Sequence, residues 1–131
     1  MPVVTLELAP VSKPRMTQSD RWKKRPCVLR YRAYCDAVRE GVPAGFRFPD
    51  SGASVLFTLP MAKSWSQRRK RQMNGRPHQQ KPDVDNLCKA LFDALEANDA
   101  HIWSVCITKR WGHTGRVQIA YEANTMNEVC S

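Results

Sequence analysis

The chain has 131 residues and a formal net charge of +9, with 42% hydrophobic and 25% charged residues. That length favours one domain around one core, and no stretch reaches the ~18 uninterrupted apolar residues a membrane helix needs. The first ten residues lack the basic start and long apolar run of a secretory signal, so the expected compartment is the reducing cytoplasm.

Residues 3–8 alternate and are β-branched, which predicts a strand. Residues 10–26, rich in Pro, Ser, Lys and Arg, read as a basic loop. Val28, Tyr31, Cys35 and Val38 recur at helical spacing, so a helix is expected over 28–40, ending at Gly41. Residues 54–61 form a second strand, closed by Pro60. Residues 64–73 have helical composition, with Ser64 or Ser66 as N-cap and Asn74-Gly75 as the stop. Arg76-Pro77-His78 begins a loop. Pro82 stands where helices favour a first proline, and the helix behind it should run to about 97. Residues 102–111 read as a strand, 112–115 as a turn, and 116–122 as a strand pairing back in a hairpin. The sum is an α+β fold: a single small domain, 1–122, whose mixed or antiparallel sheet is packed by two or three helices. Residues 123–131 read as a loose C-terminal tail.

Charge is unevenly spread along this chain. Residues 83–99 hold five acids and one base, a net of −4, so the remainder carries +13. A basic body attracts polyanions, DNA foremost. An acidic patch inside it repels phosphate unless a divalent cation stands between them. On a helical wheel with Asp85 at zero, Lys89, Asp93 and Asn86 fall at roughly 40°, 80° and 100°. They share a polar stripe, opposite Leu87, Ala90, Leu91 and Ala94, which should pack on the sheet. At a helix start Asp83 and Asp85 can point at one spot, beside the positive end of the dipole. Mg²⁺ takes one or two carboxylates with waters and phosphate oxygens. Asp99, after the helix, joins them if the next strand runs back alongside. Spacing alone leaves open whether Asp83 and Asp85 hold a metal or cap the helix. It also leaves open whether Lys89 acts on phosphate or pairs with Asp85 or Asp93.

The basic runs Arg68, Arg69, Lys70, Arg71 and Lys23, Lys24, Arg25, with Lys81, are candidate DNA contacts, although a charge run can also be a solvated face. Trp22, Trp65 and Trp111 lie near basic residues, and core packing is the expected role. Five cysteines (27, 35, 88, 106 and 130) show no C-x-x-C spacing, and His78, His101 and His113 complete no zinc pattern. Free thiols, some buried, are expected.

At K-P-D-V-D-N-L-C-K-A-L-F-D-A-L, residues 81–95, the chain resembles the RusA family of Holliday junction resolvases. The family pattern is acid, any residue, acid, Asn, Leu, any residue, Lys, then Asp-Ala-Leu. Here these are Asp83, Asp85, Asn86, Leu87, Lys89 and Asp93-Ala94-Leu95. The later acidic pair corresponds to Asn98-Asp99. Asn replaces the first acid, His101 stands where Gln is usual, and the connection from the helix is shorter. The segment from Trp65 through Asp83 also resembles phage-type members. The resemblance implies a Mg²⁺-dependent endodeoxyribonuclease, with Mn²⁺ as a substitute, that nicks four-way DNA symmetrically as a homodimer. It implies Asp83, Asp85 and Asp99 as metal ligands, Lys89 as a catalytic residue, and Asn86 and Asp93 in support. No membrane and no small-molecule cofactor are implied. A non-catalytic DNA-binding protein, a packaging protein, or a nuclease for flaps or forks are the competing readings.

Overall fold

A computed structural model describes residues 2–15, 25–95 and 98–121. The predicted tail 123–131, Lys23, Lys24 and Trp22 lie outside the described residues. Strand alternation builds the sheet. In β2 (Ala53–Pro60), Ala53, Val55, Phe57 and Leu59 are buried while Ser54, Leu56 and Thr58 face the other way. β1 (Val3–Leu6) buries Val4 and Leu6, and β4 (Arg116–Ala120) buries Val117 and Ile119. With β3 (Val105–Gly112) they form a four-stranded sheet in the order β1-β4-β2-β3. β2 and β3 are parallel, and the other two pairings are antiparallel.

The buried strand residues join one core with α1 (Pro26–Gly41) and α3 (Val84–Leu95). α1 opens on a proline, whose missing N–H costs nothing in a first turn. It buries Val28, Tyr31, Tyr34, Cys35 and Val38, at helical spacing. α3 buries Leu87, Ala90, Leu91, Phe92 and Ala94. Each fully buried leucine contributes roughly 1.5–3 kcal/mol. Phe92 meets Phe48 edge-on at 5.0 Å, and Arg39 Nε donates to the Ala94 carbonyl at 2.8 Å, tying the two helices. The third helix, α2 (Gln67–Met73), buries no side chain. Among the described residues no helix is long and apolar enough to cross a membrane.

The α+β expectation and the sequence of elements agree with this architecture. The expected terminal hairpin does not form. β4 pairs with β2 and β1, and β2 stands between β3 and β4. Residues 112–115 therefore cross the end of β2. A central place suits β4, whose Val117 and Ile119 are fully buried. β3 also begins later than expected. Trp103 and Ser104 N–H groups bind the Asp50 carbonyl at 2.9 and 3.4 Å, so they do not join a strand ladder. β1 ends early because the Leu8 N–H turns back on the Leu6 carbonyl at 3.0 Å.

The crossing needs glycine. A Cβ on Gly115 would stand 2.3 Å from the Ala9 Cα and 2.9 Å from its nitrogen, backbone atoms that cannot yield cheaply. Gly115→Ala should destabilise the fold by about 1–3 kcal/mol, read as a lower urea midpoint at unchanged slope.

Candidate active site

α3 presents the sequence-predicted acids. Asp83 precedes its first residue, and the Asp83 carbonyl accepts the Leu87 N–H at 3.1 Å. Among the described residues its carboxylate makes no hydrogen bond or ion pair, so the side chain does not cap the helix. Asp85, one residue into α3, is likewise exposed and unpaired among them. Lys89 is exposed and pairs with neither Asp85 nor Asp93. The i,i+4 ion-pair reading of Lys89 is thereby removed.

The chain approach to α3 is fastened from β3. Lys109 Nζ donates to the Gln80 carbonyl at 2.5 Å and to the Pro82 carbonyl at 2.7 Å. The bond between Lys81 and Pro82 is cis. Lys109 went unnoticed in the sequence, yet it left a signal. Strand alternation puts it on the inner face with Val105 and Ile107, where a lysine requires partners.

Asp99 lies in a turn on one flank of α3. Its carbonyl accepts the Ile102 N–H at 3.0 Å, and the Asn98 side chain accepts the Ala100 N–H at 3.0 Å. Asn98, in place of the family's first acid, thus closes the turn that carries Asp99. His101 Nδ1 meets Asp50 Oδ1 at 2.5 Å, which anchors this turn to the loop before β2. Asp50 is a second residue the sequence reading passed over. Between the flank and the helix sits Cys88. Burial pushes its thiol up to about 11, and the charges of Asp99 and Asp85 add to the rise. Both carboxylates therefore act on one side chain, while the thiol stays neutral near pH 7. Among the described residues no three His, Cys, Asp or Glu side chains are gathered closely enough to hold a metal as they stand.

On the opposite flank, Asp93 joins three segments. It accepts from Tyr31 of α1 at 3.0 Å and pairs with Lys13 at 2.6 Å. Burial alone would raise its pKa, but the Lys13 ammonium and the Tyr31 hydroxyl outweigh it and hold the carboxyl below its ordinary value. Asp93 thus ties α1 and the segment after β1 to α3. N-terminal to this junction an open cleft of about 520 Å³ separates residues 10–12 and α1 from the start of α3, with Asp83, Asn86, Lys81 and Arg30 in its wall.

The basic run occupies α2. Ser66 caps it, accepting the Arg69 N–H at 3.1 Å. The Arg69 guanidinium lies 3.9 Å from the Trp65 ring centroid, a cation–π geometry. Trp65 in turn meets Trp111 at 4.9 Å, and Trp111 meets buried His78 at 4.1 Å. Burial, then Lys109, lowers the His78 pKa, so this ring is neutral. Core packing holds for Trp111 and partly for Trp65. Arg68, Arg69 and Arg71 are exposed and Lys70 is half-buried. Arg25 is half-buried and donates to the Arg15 carbonyl at 2.9 Å. Trp103, unremarked in the sequence, is 75% exposed. The four described thiols are free.

The family model described as Endodeoxyribonuclease RusA matches residues 7–122. That span covers most of the 131-residue chain, and the protein belongs to this family of DNA-cleaving enzymes. No curated protein and no solved structure matches the chain.

Two outcomes test the supports of this site. Lys109→Met should cost about 1.5–3 kcal/mol, the usual worth of hydrogen bonds to a charged group, measured by urea denaturation. For Asp93 the folded pKa lies below its ordinary 3.8. Its contribution is therefore present above 3.8 and lost as pH falls through the lower folded value. The Tm gap between wild type and Asp93→Asn should be full at neutral pH and close in that acid range.

Proposed function

We propose that the chain is a Mg²⁺-dependent nuclease that resolves four-way DNA junctions by paired symmetric nicks. The observation that carries this reading is the family match together with exposed carboxylates at the start of α3 that are unpaired among the described residues, in an otherwise basic protein. Asp83, Asp85 and Asp99 would hold the ion. Their hard oxygens suit Mg²⁺, which needs only one or two carboxylates beside water and phosphate oxygens. That no finished three-ligand cluster stands among the described residues is compatible with that demand. When bound, the ion supplies Lewis acidity and a water more easily deprotonated.

The chain's own residues do the rest. Water oxygen bonds to phosphorus as the P–O3′ bond breaks; the attacking water gives its proton to bulk solvent, and the departing O3′ takes one up from solvent. The products are a 5′-phosphate and a 3′-hydroxyl, ends that can be rejoined. Lys89, one turn beyond Asp85 and without a carboxylate partner among the described residues, stabilises the negative charge that grows on the phosphate. The α2 run and Lys81 hold the backbone through charge, so binding weakens steeply with salt. Selection of a junction rests on DNA shape and deformability more than on base edges. A homodimer would present two equivalent sites to a nearly two-fold substrate.

The test compares a four-way junction, a flap and a linear duplex, each with Mg²⁺ and with EDTA. Paired, metal-dependent nicks confined to the junction are expected. Cleavage of flaps in preference makes the protein a different branched-DNA nuclease. Tight binding without cleavage under any divalent metal leaves a binding module. Asp85→Asn should abolish cleavage and keep junction binding in EDTA. Lys89→Ala should lower kcat on the order of 10²–10³-fold with little change in KM. Equal losses in turnover and affinity would make Lys89 a phosphate anchor.

A further inference from the structure

The cleft beside Asp83 contains a cation that the nuclease reading does not use. Arg30 projects from the first turns of α1 and shares the wall with Lys81, Asp83, Asn86 and Ser12. In sequence Arg30 stands some fifty residues from Lys81, Asp83 and Asn86, and only the packing of α1 on α3 brings it there. Arg30 and Lys81 are exposed and have no carboxylate partner among the described residues. Two cations against one carboxylate give this wall a net charge of +1. The Asn86 amide and the Ser12 hydroxyl add neutral hydrogen-bonding groups. The volume, about 520 Å³, falls in the ordinary range of roughly 300–1,000 Å³ for small-ligand sites.

The cleft is also held open by its neighbours. Lys13, next to the lining residues 10–12, is pinned to Asp93 at 2.6 Å, and Tyr31, next to Arg30, is bonded to the same carboxylate at 3.0 Å. Both walls are thus fixed to α3 before any ligand arrives. On the far side, Lys109 fastens the Lys81 segment through the Gln80 and Pro82 carbonyls.

We propose that this cleft is a subsite for a backbone phosphodiester, with Arg30 as its principal ligand, lying beside the phosphate that is cut. This assignment rests on the nuclease reading above. Arginine suits the role because its planar fork can meet two phosphate oxygens at once. Asp83 forms one wall, so a strand seated by Arg30 and Lys81 passes next to the acids. Arg30 acts as a binding residue: it holds the strand in the cleft equally before and during the cut.

The experiment measures four-way junction binding in EDTA over a series of salt concentrations, for wild type, Arg30→Gln and Arg30→Lys, with Tm as a folding control. Arg30→Gln should weaken binding on the order of 10-fold and reduce the salt slope by about 1, as the loss of one phosphate contact requires. Arg30→Lys should restore the slope, and Tm should not move. In Mg²⁺, Arg30→Gln should raise KM with kcat nearly held. Cleavage by wild type with binding, slope and KM untouched in Arg30→Gln overturns the subsite and leaves the nuclease reading intact. Binding without cleavage by wild type, with the slope still falling in Arg30→Gln, keeps the subsite and removes the nuclease reading. A wild-type chain that binds no DNA overturns both.

Discussion

The seating of α3 on the covered face of the sheet decides what the rest of the molecule can do. Leu87, Ala90, Leu91 and Ala94 turn inward, and this rotation leaves Asp85, Asn86 and Lys89 on the outer side. Phe92 widens the buried face through its contact with Phe48, so α3 is wedged from the side of the loop before β2 as well. The helix has little freedom to roll. Its first turn is then set by Lys109, which grips two carbonyls just before Asp83. The position of the acids follows from apolar packing and one inward lysine.

Electrostatics makes it inexpensive for these groups to stand without an ion pair among the described residues. The protein has an excess of cations, yet Asp83, Asp85 and Asp99 take no ion pair among the described residues, while Asp93 takes Lys13. A pairing of the exposed acids would contribute little to stability, since surface ion pairs are worth roughly 0–1 kcal/mol. It would also occupy the oxygens a cation needs. Asp93, set between α1 and the segment after β1, is bound to structure instead. One helix thus carries a carboxylate that joins segments and others left open, and the two kinds differ in what packs around them.

Much of this was readable from the chain because local periodicity survives folding. The 3.6-residue pattern of 84–95 and the two-residue pattern of β2 and β4 each name a buried face. The cap of α2 was narrowed to Ser64 or Ser66, and Ser66 takes it. Strand order was not, because pairing is decided by contacts distant in sequence. Adjacent β3 and β4 looked like a hairpin, but the burial of Val117 and Ile119 draws β4 into the centre of the sheet. The cleft was hidden for the same reason, since residues 10–12, Arg30 and 81–86 meet only in the fold. Trp103 was hidden differently: nothing in its local pattern separates an exposed indole from a packed one.

The start of α3 and the Asp99 turn are proposed to serve one divalent ion. Paramagnetic Mn²⁺, titrated into the protein while amide NMR signals are recorded, tests it without DNA or turnover. A shared ion should broaden residues 83–89 and, together with them, 99–101, and both effects should be lost in Asp85→Asn. Broadening at the start of α3 that leaves the Asp99 turn untouched, or that survives Asp85→Asn, would contradict it.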